Sequence, residues 1–275
     1  MEPRSLPSDS PNYFNPIPEI YDSVMGPLYF EVYAQEMATR VASWHPLSVL
    51  ETACGTGIVT AHLRKDLDDQ AKLTATDING EMLDFAKKKL ARHKNITWLE
   101  ANAMELPFPG ESYDVVICQF GAMFFTDKQK GFSEAFRVLK PAGKYAVSVW
   151  DRLDVNPLGA VGRDALVDFF NGRPPERLRT AFSLADISLV SDFLSKAGFR
   201  NIRAEVLNKP SETESAEKFA EAFLYGSSIR ETIGKHTPAA VAELQERIAN
   251  SIIRKFGNHP VRSTMQAIFF TASRD

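Results

Sequence analysis

Between residues 47 and 150 short apolar runs alternate with helical patterns, and this alternation limits the fold more than any other feature. Ser48–Glu51, Leu73–Asp77, Ile96–Leu99, Tyr113–Gln119 and Lys144–Trp150 read as strands. Gly57–Leu67, Glu81–Arg92 and Lys128–Leu139 read as helices, the last with Phe132, Ala135, Phe136 and Leu139 at three- and four-residue steps. Strand and helix in turn predict βαβ units around a parallel sheet. The uninterrupted Val115-Val116-Ile117-Cys118 suits a strand buried on both faces.

The first of these units carries the clearest chemical signal, Val49-Leu50-Glu51-Thr52-Ala53-Cys54-Gly55-Thr56-Gly57. A strand, a turn of small residues and a helix N-terminus bring a ligand close to bare backbone. A dinucleotide site asks for G-x-G-x-x-G, yet Thr60 stands where the third glycine would be. Glu51 puts a carboxylate beside the turn, which repels phosphate and attracts a cation. S-adenosylmethionine, with a sulfonium, an ammonium and no phosphate, suits that charge. By itself the turn is also compatible with a purely structural βα connection.

Composition narrows the class. The chain has 275 residues, 44% of them hydrophobic, enough for one large domain or one domain with elaborations. A net charge of −3 argues against nucleic acid as a partner. Only Cys54 and Cys118 are present, so no disulfide framework is expected and a reducing cytoplasmic setting is. No apolar run is long enough to span a bilayer, so no stable membrane insertion is expected.

Outside the alternating region the patterns are looser. Residues 1–18 hold five prolines and read as an extended arm whose Tyr13 and Phe14 dock elsewhere, followed by a helix from about Pro27 to Trp44. We divide the chain into an N-terminal arm and lid helix over 1–45 and a main domain over 46–275. Helical cap insertions interrupt the latter at about 151–185 and 211–262. Asp186–Ala197 reads as a helix closed by Gly198, Ile202–Leu207 and Met265–Ala272 as strands, and Thr237-Pro238 as the start of a capped helix. Phe169, Phe170, Phe182, Phe219, Phe223 and Tyr225 can either roof an apolar acceptor pocket or form the core of the cap.

Ligands of open α/β sheets bind beyond the carboxyl ends of the strands. Here Glu51 with its glycines, Asp77, Asn102-Ala103-Met104 and Gln119-Phe120 end four successive strands. With Thr76-Asp77-Ile78-Asn79-Gly80-Glu81-Met82, Ala101-Asn102-Ala103-Met104-Glu105-Leu106-Pro107-Phe108 and Arg137-Val138-Leu139-Lys140-Pro141-Ala142-Gly143, these motifs resemble the class I S-adenosylmethionine-dependent methyltransferases. Within them the branch is methyltransferase type 11, which includes the ubiquinone and menaquinone C-methyltransferases. The resemblance covers roughly residues 47–150.

It implies a Rossmann-like, doubly wound, mostly parallel seven-stranded sheet with helices on both faces, Met265–Ala272 supplying the antiparallel strand. It also implies S-adenosyl-L-methionine as cofactor, S-adenosyl-L-homocysteine as product, and transfer of a methyl group to a small, largely apolar or aromatic acceptor. Glu51 would face the ammonium, often through water, while Ala53, Gly55, Thr56 and Gly57 line the methionine portion. Asp77 would hold the ribose hydroxyls, Ile78 and Met82 pack on adenine, and Asn102 and Ala103 read its polar edge beside Met104. Gln119 would lie near the sulfonium and Tyr21 would be a lid contact. The chain departs from the pattern at three points: Ala53 replaces the first glycine, tolerable if φ stays negative; Cys54 replaces a second; and Asn102 replaces a commoner Asp.

Methyl transfer from a sulfonium is an in-line displacement that needs alignment and exclusion of water, so no metal is expected and no catalytic residue is assigned. The five histidines fall outside the four strand ends. The residues leave three rivals open: an S-adenosylmethionine-binding regulatory protein without turnover, an NAD-dependent oxidoreductase on a similar sheet, and transfer of a group other than methyl from a decarboxylated cofactor. The acceptor, the atom methylated and whether a homodimer forms are not legible in the residues.

Overall fold

The computed structural model describes residues 18–173, 176–226 and 229–275. Tyr13 and Phe14 lie outside them. The sheet strands are β1 (Ser48–Thr52), β2 (Lys72–Asp77), β3 (Ile96–Glu100), β4 (Tyr113–Gln119), β5 (Leu139–Trp150), β6 (Arg200–Thr213) and β7 (Val261–Ser273). Their spatial order is β3-β2-β1-β4-β5-β7-β6, with β7 antiparallel to both of its neighbours and the other pairings parallel. Strand order reverses between β1 and β4, so the ligand crevice of such a sheet falls there.

The helices are α1 (Pro18–Ile20), α2 (Glu31–Ala42), α3 (Ile58–Asp66), α4 (Gly80–Lys89), α5 (Lys128–Val138), α6 (Pro157–Phe169), α7 (Glu176–Ala181), α8 (Ile187–Ala197), α9 (Ala216–Tyr225), α10 (Arg230–Ile233) and α11 (Pro238–Phe256). Capping fixes several ends. The Asn79 side chain accepts from the amides of Glu81 and Met82, and the Asp127 side chain accepts from that of Lys130. Gly198 closes α8 at φ +108°.

The lid segment differs from the single helix expected over 27–44. Tyr21–Phe30 winds as a π-helix that contains Pro27, and a regular α-helix begins only at Glu31, whose amide donates back to the carbonyl of Gly26. Proline has no N–H to give an α-helical ladder, and a widened turn is one way past that gap. Lys89 on α4 pairs with Asp22 of this segment at 2.6 Å, and the Tyr33 hydroxyl donates to the carbonyl of Met265 at 2.8 Å. The lid is thereby fixed to α4 on one side and the sheet on the other.

β6 and β7 also run further than 202–207 and 265–272, pairing from Arg203↔Thr271 to Thr213↔Val261. Pro210 is accommodated because β6 is an edge strand, where a missing donor leaves no neighbour unpaired. Two apolar clusters result. One lies on both faces of the sheet and includes Met37, Val116, Phe132 and Phe270. The other joins α6, α7 and α9–α11 through Leu166, Phe219, Leu244 and Ile248. Among the described residues no helix is long and apolar enough to cross a membrane.

Candidate active site

The strand ends of β1, β2 and β4, the turn after β3 and the lid enclose one cavity. Tyr21, Ala53, Gly55, Asp77, Ile78, Met82, Asn102, Ala103, Met104 and Gln119 line it, ten of the thirteen residues singled out from sequence. Asn79, Ala101, Phe120, Gly121, Phe124 and Phe125 line it too. The glycine after Gln119-Phe120 could have flagged that corner, but nothing in the sequence marks the two later phenylalanines.

Asp77 organises the centre. Its Oδ2 accepts from the Gly55 amide at 2.7 Å and its Oδ1 from the Asn79 amide at 2.8 Å. A carboxylate has about four acceptor sites, so the bonds that hold the turn leave capacity for a diol. Burial raises the Asp77 pKa, opposed by those amides. Asn102 is partly spent: its Oδ1 accepts from the Met104 amide at 2.9 Å, which leaves the carboxamide NH2 and one further acceptor site on the oxygen to meet a ligand. Gln119 donates through Nε2 to the carbonyl of Phe30 at 3.3 Å, while its buried Oε1 has no partner.

The structure does not bring Glu51, Thr56 or Gly57 to the wall. Glu51 lies beneath the turn, 2% exposed, with Oε2 accepting from the Thr60 hydroxyl at 2.6 Å. Burial pushes its carboxyl up to about 8, the Thr60 bond opposing and the charge of Asp77 adding to the rise. Thr56 is buried with its hydroxyl unpaired. Gly57, at φ +74°, starts α3, and a Cβ there would lie 3.1 Å from both Ala86 and Leu90. Its role is to let the turn that opens α3 lie close against α4 and Leu90.

Ala53 is a further correction. It sits at φ +54°, not in the negative region in which its methyl would be free of strain. Gly121 makes room for that methyl, since a Cβ on Gly121 would come within 2.4 Å of Ala53 Cβ and 2.9 Å of Cys118 Sγ. Phe120, next along, is also left-handed at φ +52° and stacks on Trp150 at 4.0 Å. Non-glycine residues in this region are uncommon and concentrate at functional sites. Both cysteines are buried, and burial raises both thiols, Cys118 to about 11, so neither is a nucleophile.

A sequence model of the ubiE/COQ5 methyltransferase family matches residues 11–159, more than half of the chain. The chain belongs to that family. Within the ubiE/COQ5 relatives, a ubiquinone/menaquinone biosynthesis C-methyltransferase of Proteus mirabilis is 36% identical over 116 residues, 41% of this chain and 46% of that protein. A demethylmenaquinone methyltransferase of Lactococcus lactis is 35% identical over 136 residues, 48% of this chain and 54% of the other. The chain thus spans about half the length of the curated relatives it matches. In fold it is similar to phosphoethanolamine N-methyltransferase 2 of Haemonchus contortus, solved with S-adenosylhomocysteine, at 19% identity and a TM-score of 0.58 over 94% of this chain and 57% of that one.

Proposed function

We propose that the chain is an S-adenosylmethionine-dependent methyltransferase acting on a small, largely apolar or aromatic acceptor, in the reducing cytoplasm. The observation that carries this is the donor and acceptor set of the cavity. No lysine or arginine lines it among the described residues; acceptor oxygens from Asp77 and Gln119 do, between apolar surfaces from Ile78, Met82 and Phe125. Such a lining suits a cation with a flat base and a diol, and does not suit pyrophosphate.

The residues fit the cofactor at each end. Asp77 would take the ribose hydroxyls with its remaining acceptor capacity. Ile78 and Met82 would flank adenine, with the Asn102 amide nitrogen and the Ala103 amide at its polar edge. Gln119 Oε1, buried and unpaired, would accept from the ammonium, and Glu51 beneath the turn would add a compensating charge when it ionises. When bound, the cofactor supplies an activated methyl on sulfur. The protein's part is to hold that methyl in line and keep water out, for which Tyr21, Phe120 and the lid provide an aromatic wall. Orientation of this kind is worth roughly 7–11 kcal/mol in well-aligned systems.

Calorimetric titration tests the reading. S-adenosylhomocysteine should bind and NAD should not, and Asp77→Asn should weaken the former roughly 10- to 100-fold, the range for hydrogen bonds to a charged group. Binding of NAD without S-adenosylhomocysteine would overturn it. Binding without methyl transfer to any of a panel of phenols, quinols, amines and carboxylates would leave a cofactor-sensing protein instead.

A further inference from the structure

A second cavity, of about 110 Å3, lies between the π-helical segment and the cap. Met25, Phe30, Trp150, Leu178, Phe182 and Phe223 supply its apolar walls. Of the cap aromatics, only Phe182 and Phe223 reach it; Phe219 is core, and Phe169 and Phe170 pack on His236. The chamber backs directly onto the cofactor cavity. Tyr21 of one stacks on Phe30 of the other at 4.9 Å, and Phe120 of one on Trp150 of the other at 4.0 Å.

Three side chains lining the chamber carry hydrogen-bonding groups: Trp150, whose indole N–H can only donate, Asn156, and Tyr29, which can both donate and accept. The Asn156 carboxamide is fully used. Its Nδ2 donates to the carbonyls of Arg152 at 3.0 Å and Gln266 at 3.2 Å, and its Oδ1 accepts from the Gln266 amide at 2.9 Å. The Tyr29 ring is braced edge-on by Trp150 at 5.9 Å and Phe219 at 6.5 Å. Its hydroxyl has no hydrogen-bond partner among the described residues.

We propose that this chamber holds the methyl acceptor, a compact neutral ring compound, and that the Tyr29 hydroxyl selects it by hydrogen-bonding its polar substituent. The assignment rests on the methyltransferase reading given above. The described walls contain no carboxylate, imidazole or ammonium, so an ionic acceptor would lose its hydration with no partner to replace it. An apolar cavity of about 150 Å3 takes up benzene, which puts a single ring at the scale of this chamber. Burial raises the Tyr29 phenol, so the group stays protonated and serves as a donor or acceptor of a hydrogen bond rather than as a base. Residues of the two cavities pack against one another at the Tyr21–Phe30 and Phe120–Trp150 pairs, so a ring fixed by that contact lies beside the cofactor cavity.

The test uses the full chain saturated with S-adenosylhomocysteine, titrated with 4-fluorophenol and with fluorobenzene and followed by 19F NMR. Both should bind, the phenol about five- to tenfold more tightly, as one net neutral hydrogen bond provides. Tyr29→Phe should remove that advantage while leaving fluorobenzene and S-adenosylhomocysteine affinities unchanged, an outcome a merely structural role would not give. Ala181→Phe, which fills the chamber, should displace both rings without affecting S-adenosylhomocysteine. A phenol preference that survives Tyr29→Phe, or ring binding indifferent to Ala181→Phe, would overturn the assignment. Failure of the unaltered chain to bind S-adenosylhomocysteine would instead remove the methyltransferase reading, and this assignment with it.

Discussion

Replacing Glu51 by Gln separates two consequences of one buried carboxyl. The folded protein holds this group at about 8, against an ordinary 4.5. Between those values the folded chain keeps a proton that the unfolded chain has released, so stability falls as pH rises from about 4.5 to 8 and levels off above. At about 1.4 kcal/mol per pH unit, the loss across the whole window approaches about 5 kcal/mol. Gln keeps an oxygen for the Thr60 hydroxyl and has nothing to ionise. Thermal melts of the ligand-free protein should therefore show the variant gaining on the wild type with each step from pH 5 to 8.

Affinity for S-adenosylmethionine should move the other way. At pH 7 a group titrating at about 8 is ionised in roughly one molecule in ten, so raising the pH toward 8 and beyond strengthens the charge beneath the ligand's cation. Calorimetric Kd values for the wild type should improve by up to about fivefold from pH 7 to 8, where the ligand's own ammonium begins to lose its proton. The variant should lack that rise. Parallel stability curves for the two proteins, together with equal pH slopes of affinity, would refute the reasoning.

Two substitutions probe the corner behind Glu51. Ala53→Gly should stabilise the ligand-free protein by up to about 1 kcal/mol, because the alanine occupies left-handed backbone at φ +54°; a lower Tm would show that its methyl contributes more in packing than its backbone costs. Gly121→Ala should destabilise by about 1–3 kcal/mol, since the added methyl would stand 2.4 Å from Ala53 Cβ. In the double variant Gly121→Ala, Ala53→Gly, denaturant melts should recover part of that loss, because the two sites touch.

The strands and helices from 48 to 138 were legible because each is a single unbroken pattern: Val115–Cys118 is a continuous apolar run in a strand–helix alternation, and the helices at 81 and 128 show apolar residues at three- and four-residue steps. Periodicity could not show that Tyr21–Phe30 is a π-helix, since ten residues hold too few turns to separate its wider repeat from that of an α-helix. Nor does a strand-end carboxylate reveal whether it points into a crevice or under a turn: Asp77 does the first and Glu51 the second. Motif order located the cofactor cavity because its residues follow strand ends in sequence. The chamber around Tyr29 has no such signature, being assembled from the lid, the end of β5 and separate pieces of the cap.

The antiparallel β7 lies between β5 and β6, yet it follows both in sequence. During synthesis β6 has no strand to pair with until residues 261–273 leave the ribosome, and β5 waits equally long for its second neighbour. The parallel half of the sheet can assemble as it emerges, whereas the remainder must close in one late step across long loops, the slowest kind of ordering for a chain to accomplish.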